Sequence, residues 1–222
     1  MKPLQSLAAG NIETHLMAFE IYYRKERPLL MMQSIKKAYN LEPGNSRLHS
    51  CIIRFCGYID KWRGNLQGPV IEVVDMQMKD ILSGRSSSKI NSDFLEENSN
   101  SLPALFEGAR MMYYLDSSKQ EAALKLTLTL DRSIDGINLQ NCIKILNALN
   151  SGEFGHCPSQ AADYKVRCHE HFPYALAFQP PVTTPHPNAI PSPPPSPTSE
   201  ESQHKDTNHI GSAPSGGKNC ID

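Results

Sequence analysis

Residues 11–45 indicate the fold class, and their sequence is NIETHLMAFEIYYRKERPLLMMQSIKKAYNLEPGN. Each half of this segment carries apolar residues three or four positions apart, which places them on one face of a helix. These residues are Ile12, Leu16, Phe19 and Tyr23 in the first half, and Leu29, Met32, Ile35 and Tyr39 in the second. Pro28 suits the first turn of the second helix, where its missing N–H costs no hydrogen bond. The pattern predicts two antiparallel helices joined by a short turn.

The length of this hairpin matches a repeat unit. Two helices in about 34 residues form a tetratricopeptide repeat. With Ile12 as the first position, the residues at consensus places are Tyr22, Ile35, Ala38 and Pro43, although an aromatic is usual where Ile35 stands. Phe19 and Met31 occupy two sites that normally hold small residues. The match is therefore partial, and an ordinary helical hairpin is the alternative.

The sequence up to Phe178 predicts further amphipathic helices. Ser46 is a candidate N-cap for the third helix, and Ser118 and Glu121 have the spacing of a capping box. The polar residues 83–92 predict a mobile loop between helices. The predicted architecture is all-α. An N-terminal extension covers residues 1–10, a tetratricopeptide-like solenoid covers 11–178, and a tail covers 179–222.

The tail differs in composition from the rest of the chain. It holds ten of the 17 prolines and few large apolar residues. Such a segment cannot bury enough apolar surface to offset its ordering entropy, so we predict that residues 179–222 are disordered. Residues 191–197, PSPPPSP, favour polyproline II and suit an SH3- or WW-type groove. A spacer without a partner is the alternative.

Charge is distributed unevenly along the chain, although the formal net charge is −1. Residues 1–65 hold ten Lys and Arg against five Asp and Glu, which gives +5; residues 66–178 hold ten against fourteen, which gives −4. A basic first segment can lie near RNA, such as that of the ribosome, or near an acidic partner. Solvated helix faces are the alternative, and the sequence shows no aromatic platform between the charges.

No catalytic constellation emerges from the sequence. The densest group of potential metal ligands is His156, Cys157, Cys168, His169 and His171. Zinc sites usually take two spaced pairs of ligands, whereas these ligands are largely adjacent residues that point in different directions on a helix. A small metal-dependent enzyme is therefore the weakest of three function classes, and we predict no catalytic or metal-binding residue.

Compartment is predicted from what the sequence lacks. The six cysteines are an even number, but the N-terminus has no apolar run long enough for secretion. No stretch approaches the roughly 20 apolar residues of a membrane span. These features favour reduced thiols and a cytoplasmic location without membrane contact.

Several longer stretches resemble one protein family. The most specific are ETHLMAFEIYYRK at 13–25 and FPYALAF at 172–178. NSNSLPALFEGARMMYYLD and DRSIDGINLQNCIKILNAL lie between them, in the same order as in the family. Over residues 11–181 the chain resembles the C-terminal part of the auxiliary subunit of the N-terminal acetyltransferase A (NatA) complex.

This resemblance implies a superhelical scaffold of tetratricopeptide-like helix pairs that holds a catalytic acetyltransferase subunit and brings it to the ribosome. The complex acetylates the α-amines of nascent chains, and its catalytic subunit binds the acetyl-CoA. The acetyl-CoA loop R-x-x-G-x-[GA] is absent from this chain. The resemblance therefore implies a non-catalytic scaffold without a cofactor of its own. A generic cytosolic helical-repeat adaptor unrelated to acetylation is the alternative.

The resemblance also implies a second partner. Proteins of the family are several times longer, so this chain is expected to be a fragment or a short form. Their C-terminal helices offer a surface to a small regulatory protein with a ubiquitin-associated-type domain. If that surface is retained, we expect it near Phe172, Tyr174 and Phe178. The alternative is that these three aromatic residues cap the hydrophobic core.

Overall fold

The computed structural model describes residues 8–131 and 133–180, and helices dominate them. These residues form nine α-helices, three short 3-10 helices and no strand beyond two isolated β-bridges. The α-helices are α1 (Ile12–Arg24), α2 (Pro28–Leu41), α3 (Ser46–Trp62), α4 (Gly68–Leu82), α5 (Ser87–Glu97), α6 (Leu102–Leu115), α7 (Gln120–Thr127), α8 (Leu139–Asn150) and α9 (Pro158–His171). The all-α prediction is confirmed.

The helices pack as a row of pairs. Helix α1 packs on α2, α6 on α7 and α8 on α9, while α3 packs on α5. The first helices of successive pairs also pack on one another, so that α1 contacts α3, α3 contacts α6 and α6 contacts α8. This stacking is the arrangement of a tetratricopeptide-like solenoid, in which each unit buries its apolar face against its neighbours. It leaves the side chains of α1, α3, α6 and α8 together along one side.

The first hairpin forms as the apolar spacing predicts, with one error. Asn11 caps α1 by accepting a hydrogen bond from the Glu13 N–H at 2.9 Å, and Pro28 opens α2. Phe19 is buried between the helices. Leu29, predicted on the packed face of α2, is instead 36% exposed, and Met31 is fully buried. Helix α2 is therefore rotated so that Met31 faces the hairpin interior.

The predicted loop over residues 83–92 is largely a helix. Helix α5 begins at Ser87, and Ser86 caps it by accepting a hydrogen bond from the Lys89 N–H at 3.3 Å. Only Ile90 and Asn91 of this helix are buried. Its other apolar side chains, Phe94 and Leu95, are half-buried, so the apolar stripe of this helix is short and is interrupted by Asn91. Packing against α3 and α6 supplies the stability that its local sequence does not.

Two predicted helix caps are also wrong. Asn45, one residue before Ser46, caps α3 by accepting hydrogen bonds from two backbone N–H groups. Ser118 does not open α7; it lies in a 3-10 turn over Ser117–Lys119. There the Asp116 carboxylate accepts hydrogen bonds from the Ser118 N–H and hydroxyl, at 3.0 and 2.6 Å. Both errors arise because a neighbouring Asn or Asp competes successfully for the same N–H groups.

The buried side chains fall into two main clusters. One joins α1 to α4, with Phe19 and Phe55 among its largest members. The other joins α6 to α9 and includes Phe106, Phe154 and Phe178. A small third cluster between them contains Ile53, Ile90 and Met111. Of the predicted N-terminal extension, only residues 8–10 are described, and residues 181–222 of the predicted tail lie outside the described residues.

Candidate functional site

The side chains of α1, α3, α6 and α8 line an open cleft of about 610 Å³. Most of the lining side chains are charged or aromatic. The lining residues are Glu20, Arg47, Arg54, Glu107, Arg110, Met111, Tyr113, Tyr114, Lys144 and Glu153. Acids and bases alternate along this inner cleft; the Arg110–Glu107 contact lies within α6, and the other contacts between them join neighbouring elements.

Two ion pairs fasten α1 to α3 at one end of the inner cleft. Arg47 Nη1 donates to the Glu13 carboxylate at 2.5 Å, and Arg54 Nη1 donates to Glu20 at 2.5 Å. The Arg54 guanidinium also lies 4.4 Å from the centroid of the Tyr23 ring. In both pairs the partners are 34 residues apart. That offset is the length of one tetratricopeptide repeat, so the paired residues hold equivalent positions in successive units.

Glu107 is the buried centre of the cleft, with 1% of its surface exposed. Its carboxylate accepts hydrogen bonds from Ser50 Oγ at 2.6 Å, Arg110 Nη2 at 2.5 Å and Lys144 Nζ at 2.7 Å. Arg110 in turn donates to Glu153 at 2.9 Å. This one side chain therefore connects α3, α6 and α8. The Nε of Arg110 is buried without a partner among the described residues.

Electrostatics keep Glu107 ionised despite its burial. Burial alone raises the pKa of this carboxyl, but the nearby Arg110 and Lys144 charges lower it more. The net result is a pKa below the ordinary value. A buried carboxylate with two cations and a hydroxyl around it is fully used in structural contacts.

The four predicted repeat residues lie in structural positions. Ile35 and Ala38 are buried in the first cluster, and Tyr22 packs against that cluster at the end of α1. Pro43 is exposed in the turn after α2. Thus three of these residues contact the first cluster and the fourth ends the unit.

The structure separates the three aromatic residues predicted as a partner surface. Phe178 is 1% exposed, and the Phe172 ring lies 6.2 Å from it, packed against the second cluster. Tyr174 is 94% exposed, and Leu176 beside it is 85% exposed. Phe172 and Phe178 anchor this segment at both ends, whereas Tyr174 and Leu176 point to solvent between them.

The potential metal ligands disperse in the structure. Cys157 is buried, and its thiol donates to the Leu149 carbonyl at 3.6 Å. Cys168 is buried in the same cluster beside Cys142, whereas His156 and His171 are exposed. Within residues 8–131 and 133–180, no three His, Cys, Asp or Glu side chains are grouped as metal ligands would be.

A second surface combines aromatic and cationic side chains, and the sequence did not predict it. Tyr23 at the end of α1, and Tyr58 and Trp62 at the end of α3, form a row of rings. Lys61 Nζ lies 5.6 Å from the centroid of the Trp62 ring, and the exposed cations Arg24, Lys25 and Arg27 follow Tyr23 in the chain. We call these seven residues the aromatic end surface. Rings from two helices meet here through packing, which is why residue spacing along the chain did not show a platform between the charges.

No helix in the described part of the chain has both the length and the apolar character needed to cross a membrane.

Comparison with known proteins finds relatives of this chain, although no family model matches it. Over 180 residues, it is 42% identical to human "N-alpha-acetyltransferase 16, NatA auxiliary subunit" and 43% identical to the mouse protein of that name. It is 26% identical over 199 residues to "N-terminal acetyltransferase A complex auxiliary subunit NAA15" of Arabidopsis thaliana. Each alignment covers 81% of this chain and 21% of the relative.

The chain is a homologue of the NatA auxiliary subunits. It spans about a fifth of the length of the curated relatives that it matches. Since 81% of the chain aligns, the homology to NatA auxiliary subunits extends over most of its length. The sequence resemblance is thereby confirmed.

The ion pairs of the inner cleft were not predicted from the sequence, although one signal was present. Glu13 and Glu20 precede Arg47 and Arg54 by the same 34 residues, so opposite charges recur at one repeat length. The Ser50–Glu107 bond spans 57 residues and follows no repeat spacing. Only the stacking of helix pairs brings these two residues together.

Proposed function

We propose that the chain acts as a non-catalytic scaffold subunit of an N-terminal acetyltransferase complex in the cytoplasm. In this role it positions the catalytic subunit for co-translational acetylation of nascent-chain α-amines. The observation that carries the proposal is 42% identity to a NatA auxiliary subunit across 81% of the chain. Acetyl-CoA is then bound by the catalytic partner, and this chain holds no cofactor.

The inner cleft supports a scaffolding role. Its contacts cross from α1 to α3, from α3 to α6 and from α6 to α8, and they include the buried Glu107. Cross-helix contacts of this kind fix the spacing and curvature of stacked pairs. A partner that contacts several helices at once binds better to such a fixed surface. Helices that are mobile before binding would have to be ordered, and the lost conformational entropy would weaken binding.

Co-purification from cytosol tests the proposal. We expect the tagged 222-residue chain to recover a catalytic acetyltransferase subunit, identified by mass spectrometry. The same 222 residues with Phe19→Asp, which disrupts the packed face of α1, should recover less. Recovery of other proteins without any acetyltransferase subunit would contradict the proposal and favour a generic adaptor.

Two further partners belong to the same proposal. We expect the ribosome to co-purify with the chain and ribosomal proteins to be lost after ribonuclease treatment. We also expect a small regulatory protein with a ubiquitin-associated-type domain to contact Tyr174, because that ring is almost fully exposed. Tyr174→Ala should reduce recovery of the regulatory protein and leave the catalytic subunit unaffected. Equal loss of the regulatory protein and the catalytic subunit would contradict a contact specific to Tyr174.

A further inference from the structure

The aromatic end surface has an unusual member in Trp62, the single tryptophan of the chain. Its ring centroid lies 6.3 Å from that of Tyr58, which in turn lies 6.1 Å from Tyr23. Tyr23 and Tyr58 pack against the first cluster, but Trp62 belongs to none of the clusters formed by the described residues. The large Trp62 ring is half-buried without filling the core. Part of the Trp62 side chain is therefore accessible to a ligand.

Exposed cations lie on the elements that carry these rings. Lys61 Nζ lies 5.6 Å from the centroid of the Trp62 ring. The turn after α1 supplies three more exposed cations, Arg24, Lys25 and Arg27. In the described part of the chain, ion pairs engage Arg54 and Arg63 nearby, but none of these four cations. Their charges are free to meet an anionic ligand.

Two acids reduce the positive charge at this end of the molecule. Glu26 lies in the same turn, and its charge adds to burial in raising the pKa of Tyr58. Asp60 lies on the last turn of α3. Four free cations and two acids leave a net charge of +2. Such a field is too weak for tight binding by charge alone. A ligand needs a second source of affinity, and the rings provide one.

We infer that the aromatic end surface binds single-stranded RNA, with bases stacking on Trp62 and Tyr58 and phosphates contacting Arg24, Lys25, Arg27 and Lys61. Single strands expose both base faces and phosphates, and aromatic side chains beside cations are the usual means of holding them. Paired bases in a duplex are hidden from such rings. The inference is independent of the proposed acetyltransferase role, since it concerns α1 and α3 alone.

Intrinsic fluorescence offers a direct test, because Trp62 is the only tryptophan. The complete 222-residue chain is titrated with a uridine dodecanucleotide, with the same sequence in a duplex, and with inorganic polyphosphate. We expect the single strand to quench Trp62 fluorescence by base stacking. Polyphosphate carries charge without bases, so it should bind more weakly and leave the fluorescence nearly unchanged. The duplex should also bind more weakly than the single strand.

Variants then separate stacking from charge, with anisotropy of a labelled dodecanucleotide as the readout. Trp62→Leu should weaken binding by about five- to a hundredfold, which is the range for loss of one stacking partner, whereas Trp62→Phe should retain most affinity. Lys25→Ala should lower the salt dependence of binding. Lys125→Ala, an exposed cation on α7, is the matched control and should change nothing.

Four results would overturn the inference. Two are no measurable binding of the dodecanucleotide and equal affinity for single strand and duplex. The third is an affinity that Trp62→Leu leaves unchanged while the variant keeps its helical circular dichroism. The fourth is equal or tighter binding of a poly-glutamate peptide, which would assign the surface to acidic proteins. Circular dichroism of every variant keeps these outcomes distinct from misfolding.

Discussion

Glu107 shows how one residue can hold three helices. It carries a full charge at 1% exposure, which is tolerable only because Ser50, Arg110 and Lys144 all donate to it. Its folded pKa lies below the ordinary value. Its contribution to stability is therefore present above the unfolded pKa and is lost as pH falls through the folded pKa.

Replacing Glu107 tests this role. Glu107→Ala removes the acceptor shared by Ser50, Lys144 and Arg110, of which only Arg110 keeps another partner, Glu153, so the free energy of unfolding should fall by about 3 kcal/mol. Glu107→Gln retains an acceptor for Ser50 and should cost less. The matched control is Glu153→Gln, because Glu153 also pairs with Arg110 but is 42% exposed, and it should cost below about 1 kcal/mol. Urea unfolding measures all three, and equal losses would contradict the central role of Glu107.

His49 predicts how stability responds to mild acid. Burial lowers its pKa, although the hydrogen bond with Asn91 and the Glu107 charge oppose the shift. The ring is stacked on Phe94 at 3.8 Å and bonded to Asn91 at 2.8 Å. Because the unfolded state then binds the proton more readily, the free energy of unfolding should fall as pH drops below the ordinary value of 6.5.

Thermal melting between about pH 7.5 and about pH 5.5 checks this sign. The wild-type chain should lose more stability over that interval than a His49→Gln variant, which has no proton to gain at this site. Using the difference between the two chains removes the contributions of the seven other histidines. A variant that loses as much stability as the wild type would show that His49 is not responsible.

At the scale of an element, the first hairpin depends on the packed face of α1. Phe19 is fully buried in that face, 5.7 Å from the Tyr23 ring. Phe19→Asp places a charge in the packed interior and should cost at least about 3 kcal/mol. Helical circular dichroism and melting temperature should both fall. Met17→Asp, at a 45% exposed position of the same helix, is the control and should have little effect.

Elements with an apolar stripe were predictable, and elements held by polar contacts were not. The spacing of Ile12, Leu16 and Phe19 predicts α1 because these side chains fill the core. The first six residues of helix α5 were predicted as loop because the helix buries only Ile90 and Asn91. Asn91 Nδ2 donates to the Gly108 carbonyl at 2.9 Å, a contact that depends on the position of α6. Local sequence does not encode such tertiary anchors.

The contacts of the candidate site also divide into those that the sequence could predict and those that it could not. Opposite charges at a 34-residue offset made the pairs of Arg47 and Arg54 with α1 accessible to sequence reasoning. The spacing of residues along the sequence does not predict that Glu107 lies buried at the centre of the cleft. It also does not predict that the rings of Tyr23, Tyr58 and Trp62 form a row. These features need the helix pairs stacked before they exist. The sequence therefore predicted the helical fold better than the surfaces that the folded helices form.

At the scale of the whole molecule, the composition of the tail predicts a simple result. Residues 179–222 carry few large apolar side chains and many prolines. Deleting them should leave the melting temperature nearly unchanged, because Phe178, the last buried residue described, stays in place. Differential scanning calorimetry of the two chains measures this. A drop of several degrees would show that the tail contributes to the folded state.

The division of the interior into two main clusters has a consequence for cooperativity. The half containing α1 to α4 and the half containing α6 to α9 share a small apolar cluster of Ile53, Ile90 and Met111, and polar contacts of Glu107 and Asn91 complete the junction. In stacked-repeat proteins such a weak junction lets one half open while the other stays folded. Trp62 reports on the first half alone, whereas circular dichroism reports on both. We expect the urea transitions followed by Trp62 fluorescence and by circular dichroism to have different midpoints. That difference would reveal a half-folded intermediate in which the α6–α9 half is still intact.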